Sequence, residues 1–107
     1  MKTNMMLTVA FVFLFSLPAF ADNAATEKLW KTKCQSCHAA DGSGNTPAGK
    51  KVGARDLRAP EIQKQSDAEL FEITKKGKDK MPAYDKKLTD EQIKDLVAYV
   101  RELGKKK

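Results

Sequence analysis

The only histidine of the chain follows directly after its two cysteines, in the segment Cys34-Gln35-Ser36-Cys37-His38. This C-x-x-C-H spacing is typical of a c-type haem attachment site. The segment spans about one helical turn, which can present both sulfurs to the two vinyl groups along one edge of a porphyrin. The adjacent imidazole can then bind the iron through a neutral ring nitrogen. We therefore predict one covalent haem, attached through Cys34 and Cys37, with His38 as an axial iron ligand.

Three other kinds of site use the same residue types. A thioredoxin-type dithiol would need strands alternating with helices, which the sequence does not indicate. A tetrahedral zinc site would need a fourth ligand, and the chain has no third cysteine and no second histidine. A structural disulfide between Cys34 and Cys37 stays open in an oxidising compartment. Because the disulfide would leave His38 without a role, the haem interpretation is preferred.

The second axial ligand follows by elimination. Met81 is the only methionine beyond the first six residues, and the single histidine excludes bis-histidine ligation within one chain. A lone methionine often fills a gap in a core. Met81, however, lies beside Pro82 in a lysine-rich segment without helical periodicity, so core packing is the poorer account. We predict Met81 as the second axial ligand of the iron; an open site or a lysine ligand are the alternatives.

Two strong-field ligands would leave no coordination position for a substrate. Such a closed iron exchanges electrons instead of activating oxygen or peroxide, and a His/Met ligand pair raises its reduction potential. The residues therefore predict a one-electron carrier and not an enzyme. One alternative is a ligand-binding haem sensor or weak peroxidase, in which Met81 is displaced or never bound. Another is an interaction module without haem.

Residues 1–21 have the pattern of a secretory signal peptide. Lys2 supplies positive charge, residues 5–17 form an apolar run, and Ala19-Phe20-Ala21 fits the small-x-small cleavage rule. The run would span roughly 20 Å as a helix, against about 30 Å for the hydrocarbon core of a bilayer. We therefore expect a cleaved leader and not a membrane anchor.

Cleavage before Asp22 would release a single domain, residues 22–107, into the periplasm as a soluble protein. Only four aromatic residues remain in it, namely Trp30, Phe71, Tyr84 and Tyr99. A chain this short buries a modest fraction of its surface and often needs a staple or a bound group. A large apolar cofactor would supply the missing core.

The charge balance of the chain is basic, with 20 Lys and Arg against 14 Asp and Glu and a formal net charge of +6. Such a surplus can serve nucleic acid, an acidic protein or an anionic membrane. Export argues against nucleic acid, so we expect redox-partner proteins with acidic docking surfaces, with solubility alone as the alternative. Nothing requires an oligomer, and we expect a monomer. The lysines that flank the predicted methionine ligand are Lys75, Lys76, Lys78, Lys80, Lys86 and Lys87.

Helix signals recur along the chain, whereas no segment shows the two-residue alternation of a strand, so we expect an all-α fold. The first helix is predicted from about Ala24 into the attachment segment, with Asp22 or Asn23 as its N-cap. A short helix should begin at Pro60 and end near Gln65.

Two capping boxes predict the remaining helices. Ser66-Asp67-Ala68-Glu69 should open a helix that stops at Gly77, and Thr89-Asp90-Glu91-Gln92 should open the last helix, with Gly104 as its terminator. The segments between these elements differ in composition from them. Residues 39–59 are rich in Gly, Pro and Asn and are predicted to be a loop that wraps the cofactor without packing as an element. Residues 78–88 should be irregular.

With these features the chain resembles the class I cytochromes c, in particular the short bacterial electron carriers, over essentially all of residues 22–107. The resemblance implies about four short helices around one covalently bound haem, with the first and last helices crossing near a right angle. It also implies that an aromatic residue four positions before the first cysteine packs on the last helix. The residues that stand where this pattern asks for them are Trp30, Leu96, Tyr99 and Met81-Pro82.

Two family features are less well matched. Thr26 stands where the family usually has Gly at the helix crossing, which would relax the close approach of the two helices. The family usually orients the proximal histidine through a proline carbonyl. Pro47 is the one proline between His38 and Pro60, so the resemblance implies Pro47 in this role.

Overall fold

The computed structural model describes residues 23–106. The predicted signal peptide of residues 1–21, its cleavage site and the candidate cap Asp22 lie outside the described residues. Within residues 23–106, no helix is long and apolar enough to cross a membrane. The predicted all-α fold is confirmed, because this part of the chain forms helices and one isolated bridge, between Lys78 and Met81.

Between residues 23 and 106, helices form five segments, one more than predicted. The first begins at Asn23, which is therefore a helical residue and not an N-cap, and it runs without interruption through three elements. In chain order the elements are α1 (Asn23–Leu29), a π-helical turn (Trp30–Cys34), α2 (Gln35–His38), α3 (Pro47–Val52), α4 (Pro60–Gln63), α5 (Asp67–Lys76) and α6 (Asp90–Lys105).

The π-helical turn in the first segment was not predicted. The Gln35 N–H donates to the Trp30 carbonyl, one residue farther back than in an α-helix. The Thr32 hydroxyl donates to the Lys28 carbonyl at 2.9 Å, a side-chain bond of the kind that bends helices. Single π turns occur often at functional sites, and this one ends at Cys34.

Helix α3 corrects the expectation that residues 39–59 contain no packed element. Thr46 is the N-cap, since its Oγ1 accepts the Gly49 N–H at 2.8 Å. Pro47 occupies the first turn, and Gly53 ends the helix in the left-handed conformation at φ 70°. The helix has too few apolar residues for a periodic signal, and it forms because its caps are in place and it packs against α2.

The next two helices follow their predicted signals. Pro60 opens α4, which ends at Gln63, two residues before the predicted end. The Ser66 Oγ accepts the Glu69 N–H at 3.1 Å at the start of α5, and Gly77 is the C-cap. Local cap chemistry therefore placed both ends of α5 correctly.

Helix α6 begins with a complete capping box. The Thr89 Oγ1 accepts the Gln92 N–H at 3.2 Å, and the Gln92 Oε1 accepts the Thr89 N–H at 2.9 Å. Its buried face contains Ile93, Leu96, Val97 and Leu103.

The prediction that Gly104 terminates α6 was wrong, because the helix continues to Lys105. A Cβ at position 104 would lie 2.5 Å from the Gln63 Cδ. The Gln63 Nε2 also donates to the carbonyl oxygens of Leu57 at 2.7 Å and Val100 at 3.2 Å. Gly104 therefore allows Gln63 to pack closely against the end of α6.

The core lies where α6 packs against α1 and α5. Trp30 is 2% exposed, and its ring centroid lies 5.2 Å from that of Tyr99. This contact confirms that the aromatic residue four positions before the first cysteine packs on the last helix. Thr26, at the position of the family glycine, is buried.

Candidate haem-binding site

An apolar cavity lies between the attachment segment, α5 and α6. About 80 Å³ of this cavity is free for a water-sized sphere, and the cavity opens to solvent on one side. Cys34, His38 and Met81 all contribute to its lining. Cys37 is not among the lining residues and lies half-buried in α2. Most of the remaining wall is aliphatic and includes Leu57, Ile62, Leu70, Ile73, Leu96, Val97 and Val100.

Trp30 supports the attachment segment from the core side. Its indole Nε1 donates to the Ala39 carbonyl at 3.1 Å, and its ring centroid lies 6.0 Å from that of His38. Because Ala39 directly follows His38, this buried bond restrains the backbone at the predicted proximal ligand.

The loop after His38 closes back on the attachment segment. The Gly44 N–H donates to the His38 carbonyl at 2.9 Å, and the Thr46 Oγ1 donates to the Ser36 carbonyl at 2.7 Å. A Cβ on Gly49 would overlap the carbonyl oxygen of Cys37. Position 49 therefore requires a glycine, so that α3 can lie directly against α2.

Burial lowers the pKa of His38 below its ordinary value. The imidazole is thereby kept neutral, which is the form that binds a metal. Its Nδ1 is buried and has no hydrogen-bond partner in the described part of the chain. The Pro47 carbonyl implied by the resemblance therefore does not accept a bond from this nitrogen in the structure.

Burial also raises the pKa of the Cys34 thiol to about 11. Dithiol redox sites work in the opposite direction, because they lower the pKa of the attacking cysteine to make a thiolate. Cys34 and Cys37 are not joined by a disulfide. No group of three or more His, Cys, Asp or Glu within residues 23–106 could hold a metal ion. These observations favour the haem interpretation over a dithiol or a zinc site.

The segment that carries Met81 is held against the end of α5. Lys78 and Met81 exchange backbone hydrogen bonds of 3.1 and 2.9 Å. Gly77 stands at φ 77°, and a Cβ there would lie 2.7 Å from the Met81 carbonyl oxygen. The predicted irregular segment is therefore a tight turn that places Met81 at the cavity.

The residues present fit a covalently attached haem. The cavity walls are apolar, a neutral imidazole and a thioether both reach the cavity, and a buried His38 nitrogen lacks a partner. An orphaned buried polar group is costly in a folded protein and calls for a functional explanation. Iron ligation through the other ring nitrogen would keep the proton on Nδ1, which would then need an acceptor.

The sequence analysis did not assign Thr46 or Tyr84 to the site. It predicted Gly77 as the end of a helix but did not predict its close contact with Met81. The Tyr84 hydroxyl donates to the Lys33 carbonyl at 2.9 Å across 51 positions of sequence. Thr46 before Pro47 is a recognisable N-cap signal that could have found α3. No local sequence pattern predicts the hydrogen bond from Tyr84 to Lys33, because the acceptor is a backbone carbonyl in a distant element.

Comparisons with known proteins agree with this arrangement. The family described as cytochrome c oxidase, cbb3-type, subunit III matches residues 21–100. The chain is 38% identical to cytochrome c6 of Nostoc sp. over 96 residues, which cover 89% of this chain and 82% of that protein. It is 35% identical to cytochrome c6 of Porphyra purpurea over 105 residues, or 92% of this chain and 91% of that one.

A solved structure is also similar. The KustC0563 c-type cytochrome superposes with a TM-score of 0.67 at 36% sequence identity, covering 73% of this chain and 95% of that chain. The family match contains both the attachment segment and Met81.

Proposed function

The chain belongs to the class I cytochromes c, which carry one covalently bound haem c, and from that premise we propose that it is a one-electron carrier. In this proposal Cys34 and Cys37 hold the haem, and His38 and Met81 are its axial iron ligands. The observation that supports it is that Cys34, His38 and Met81 line one apolar cavity, although Met81 comes from a distant part of the sequence.

Haem c would supply reversible one-electron exchange at its iron. The protein's own contribution lies in the ligands and the walls of the cavity. His38 offers a neutral ring nitrogen and Met81 a soft sulfur, a pair that favours a high reduction potential. With haem bound, the aliphatic walls of α5 and α6 would disfavour the additional charge of the ferric state and so would also raise the reduction potential. If His38 and Met81 both bind the iron, no coordination position would be left for a substrate, and this supports a carrier and not an enzyme.

We propose in addition that residues 1–21 direct export and that residues 22–107 act in the periplasm. The support is the leader pattern of residues 1–21, with its charged start, apolar run and small-x-small cleavage site.

We further propose an acidic redox partner that docks around the turn carrying Met81. Of the six lysines near this turn, Lys75 contacts Asp90 at 3.2 Å and Lys76 contacts Glu72 at 2.8 Å, so their charges are partly balanced within the chain. Lys78 and Lys80 are exposed and lie three positions and one position before Met81. Their position supports electrostatic steering of an acidic surface towards the proposed haem edge.

The proposed function is tested on protein exported together with the haem maturation machinery. We expect a mass equal to residues 22–107 plus one haem, and a low-spin ferric spectrum with a methionine-sulfur charge-transfer band. Met81→Ala should lose this band and let the ferrous protein bind carbon monoxide, because one axial position becomes open. Leu57→Ala is the matched control, since it shortens another cavity-lining side chain without removing a ligand.

Three results would contradict parts of this proposal. A bare polypeptide would exclude the haem. A high-spin wild-type protein would favour a ligand-binding sensor or peroxidase in place of the carrier. A Met81→Ala variant that stays closed to carbon monoxide would show that another residue is the ligand.

A further inference from the structure

The hydroxyl of Tyr84 joins two segments that carry proposed haem ligands. It donates to the Lys33 carbonyl at 2.9 Å. Lys33 lies in the π-helical turn directly before Cys34, and Tyr84 follows Met81 by three positions. The bond therefore connects the turn carrying the proposed methionine ligand to the turn at which the haem is attached.

The backbone of Tyr84 is fastened to a different element. Its N–H donates to the carbonyl oxygens of Thr74 and Lys75, both at 3.2 Å, and the Asp85 N–H donates to the Lys75 carbonyl at 3.1 Å. These bonds hold the Met81 turn to α5. The side-chain hydroxyl then adds a connection to the attachment helix, so that the turn is held from two directions.

The ring of Tyr84 is half-buried and packs against the core cluster around Trp30 and Leu88. The ammonium group of Lys87 lies 5.7 Å from the ring centroid. Burial raises the pKa of Tyr84, so the hydroxyl remains a hydrogen-bond donor at neutral pH. Phenylalanine would keep the ring contacts and remove the hydroxyl alone.

We propose that Tyr84 is a positioning residue that holds the Met81 turn against the attachment helix and thereby resists displacement of Met81 from the iron. The inference rests on the proposed ligation by Met81. For an external ligand to reach the iron, Met81 must leave it, and the turn moves outward most readily when the Tyr84–Lys33 bond is broken. Without this bond, the opened state costs less free energy.

The test compares wild-type holoprotein with Tyr84→Phe, and Tyr99→Phe serves as the matched control. Tyr99 is also a half-buried tyrosine, but it packs on Trp30 and not on the Met81 turn. Imidazole is titrated into the ferric protein while the methionine-sulfur band is followed. Since a single hydrogen bond at a partly exposed site has a modest net value, we expect Tyr84→Phe to bind imidazole about three- to tenfold more tightly. Tyr99→Phe should bind it with the wild-type affinity.

Hydrogen exchange of the backbone amides of residues 77–85 supplies a second measurement that does not depend on ligation. We expect these amides to exchange several-fold faster in Tyr84→Phe than in wild type or Tyr99→Phe. Unchanged exchange and unchanged imidazole affinity would overturn the proposal. Faster exchange with unchanged affinity would also overturn it, because the bond would then hold the turn without protecting the iron.

The two proposals can fail separately. If the wild-type ferric protein shows no methionine-sulfur band, ligation by Met81 is wrong and the ligand-protecting role of Tyr84 is wrong with it. If the wild-type band is present and Tyr84→Phe behaves like Tyr99→Phe, ligation by Met81 stands and only the role of Tyr84 is refuted.

Discussion

Two residues with unusual backbone conformations flank the proposed axial ligands. Ala39, directly after His38, has φ 68° and ψ 165°, and Gly77, four positions before Met81, has φ 77° and ψ 166°. This region is essentially restricted to glycine and is strained for any other residue. The bond from the Trp30 indole to the Ala39 carbonyl helps to maintain the conformation of Ala39. Both positions turn the chain sharply beside a proposed ligand, which is where strain is often found in functional sites.

Gly77→Ala is expected to disturb ligation by Met81. A Cβ at position 77 would lie 2.7 Å from the Met81 carbonyl oxygen and 2.9 Å from the Ala83 nitrogen, so the turn must shift. Together with the backbone strain we expect a loss of about 1–3 kcal/mol in the free energy of unfolding and a weaker methionine-sulfur band.

Gly53→Ala is the matched control for this prediction. Gly53 also has a positive φ, of 70°, but a Cβ there would meet nothing within 4 Å. It should lose stability and keep the methionine-sulfur band. If both variants keep the band, the close contact between Gly77 and the Met81 turn has no bearing on the ligand.

Among the elements, α6 contributes both to the stability of the fold and to the wall of the cavity. Its capping box satisfies backbone groups at its first turn, and its apolar face packs on α1 and α5. Leu96 and Val97 belong to that face and also line the cavity. The position at which α6 begins therefore determines which of its side chains line the cavity opposite the attachment segment.

Thr89→Ala should destabilise the holoprotein by about 1 kcal/mol, because the variant loses the side-chain oxygen that accepts the Gln92 N–H. In a domain of this size the midpoint of thermal unfolding should fall by roughly 4–8 °C. Thr89→Ser keeps the oxygen and should lie close to wild type in chemical denaturation. Equal unfolding midpoints for the Ala and Ser variants would show that the box contributes nothing measurable.

At the scale of the whole molecule, the relevant property is the positive field around the proposed site of electron exit. The chain has a formal net charge of +6, and Lys78 and Lys80 are exposed beside the Met81 turn. Lys50 and Lys51 are also exposed but belong to α3, which packs against α2. Charge reversal at either pair changes the net charge by the same amount, so comparing the two variants distinguishes an effect of local charge near Met81 from an effect of net charge.

Reversing Lys78 and Lys80 to Glu should slow oxidation of the ferrous protein by hexacyanoferrate(III), an anionic probe, by up to about tenfold at low ionic strength. The same variant should be oxidised faster by tris(1,10-phenanthroline)cobalt(III), which is a cationic oxidant, and both effects should largely vanish at 1 M salt, where the screening length is about 3 Å. The haem spectrum should not change. If reversal of Lys50 and Lys51 has the same effect on both probes, net charge and not a local docking surface controls the rate.

The sequence by itself determined the helical class, both ends of α5, the start of α6 and the set of residues proposed to bind haem. These features depend on local chemistry. Ser66 and Thr89 each cap a helix by accepting the backbone N–H of the residue three positions later. Gly77 is itself the C-cap of α5. The C-x-x-C-H motif occupies about one helical turn. The family matches and the structure confirm the all-α fold, while the roles of individual site residues stay predictions.

Tertiary structure decided what depends on residues far apart in sequence. It showed that α6 continues through Gly104, a position against which Gln63 packs. It also formed α3 against α2 and brought Met81 to the cavity that Cys34 and His38 line. The hydrogen bond from Tyr84 to the Lys33 carbonyl likewise joins residues far apart in sequence. Such contacts depend on how whole elements pack, and neither residue propensity nor periodicity contains that information.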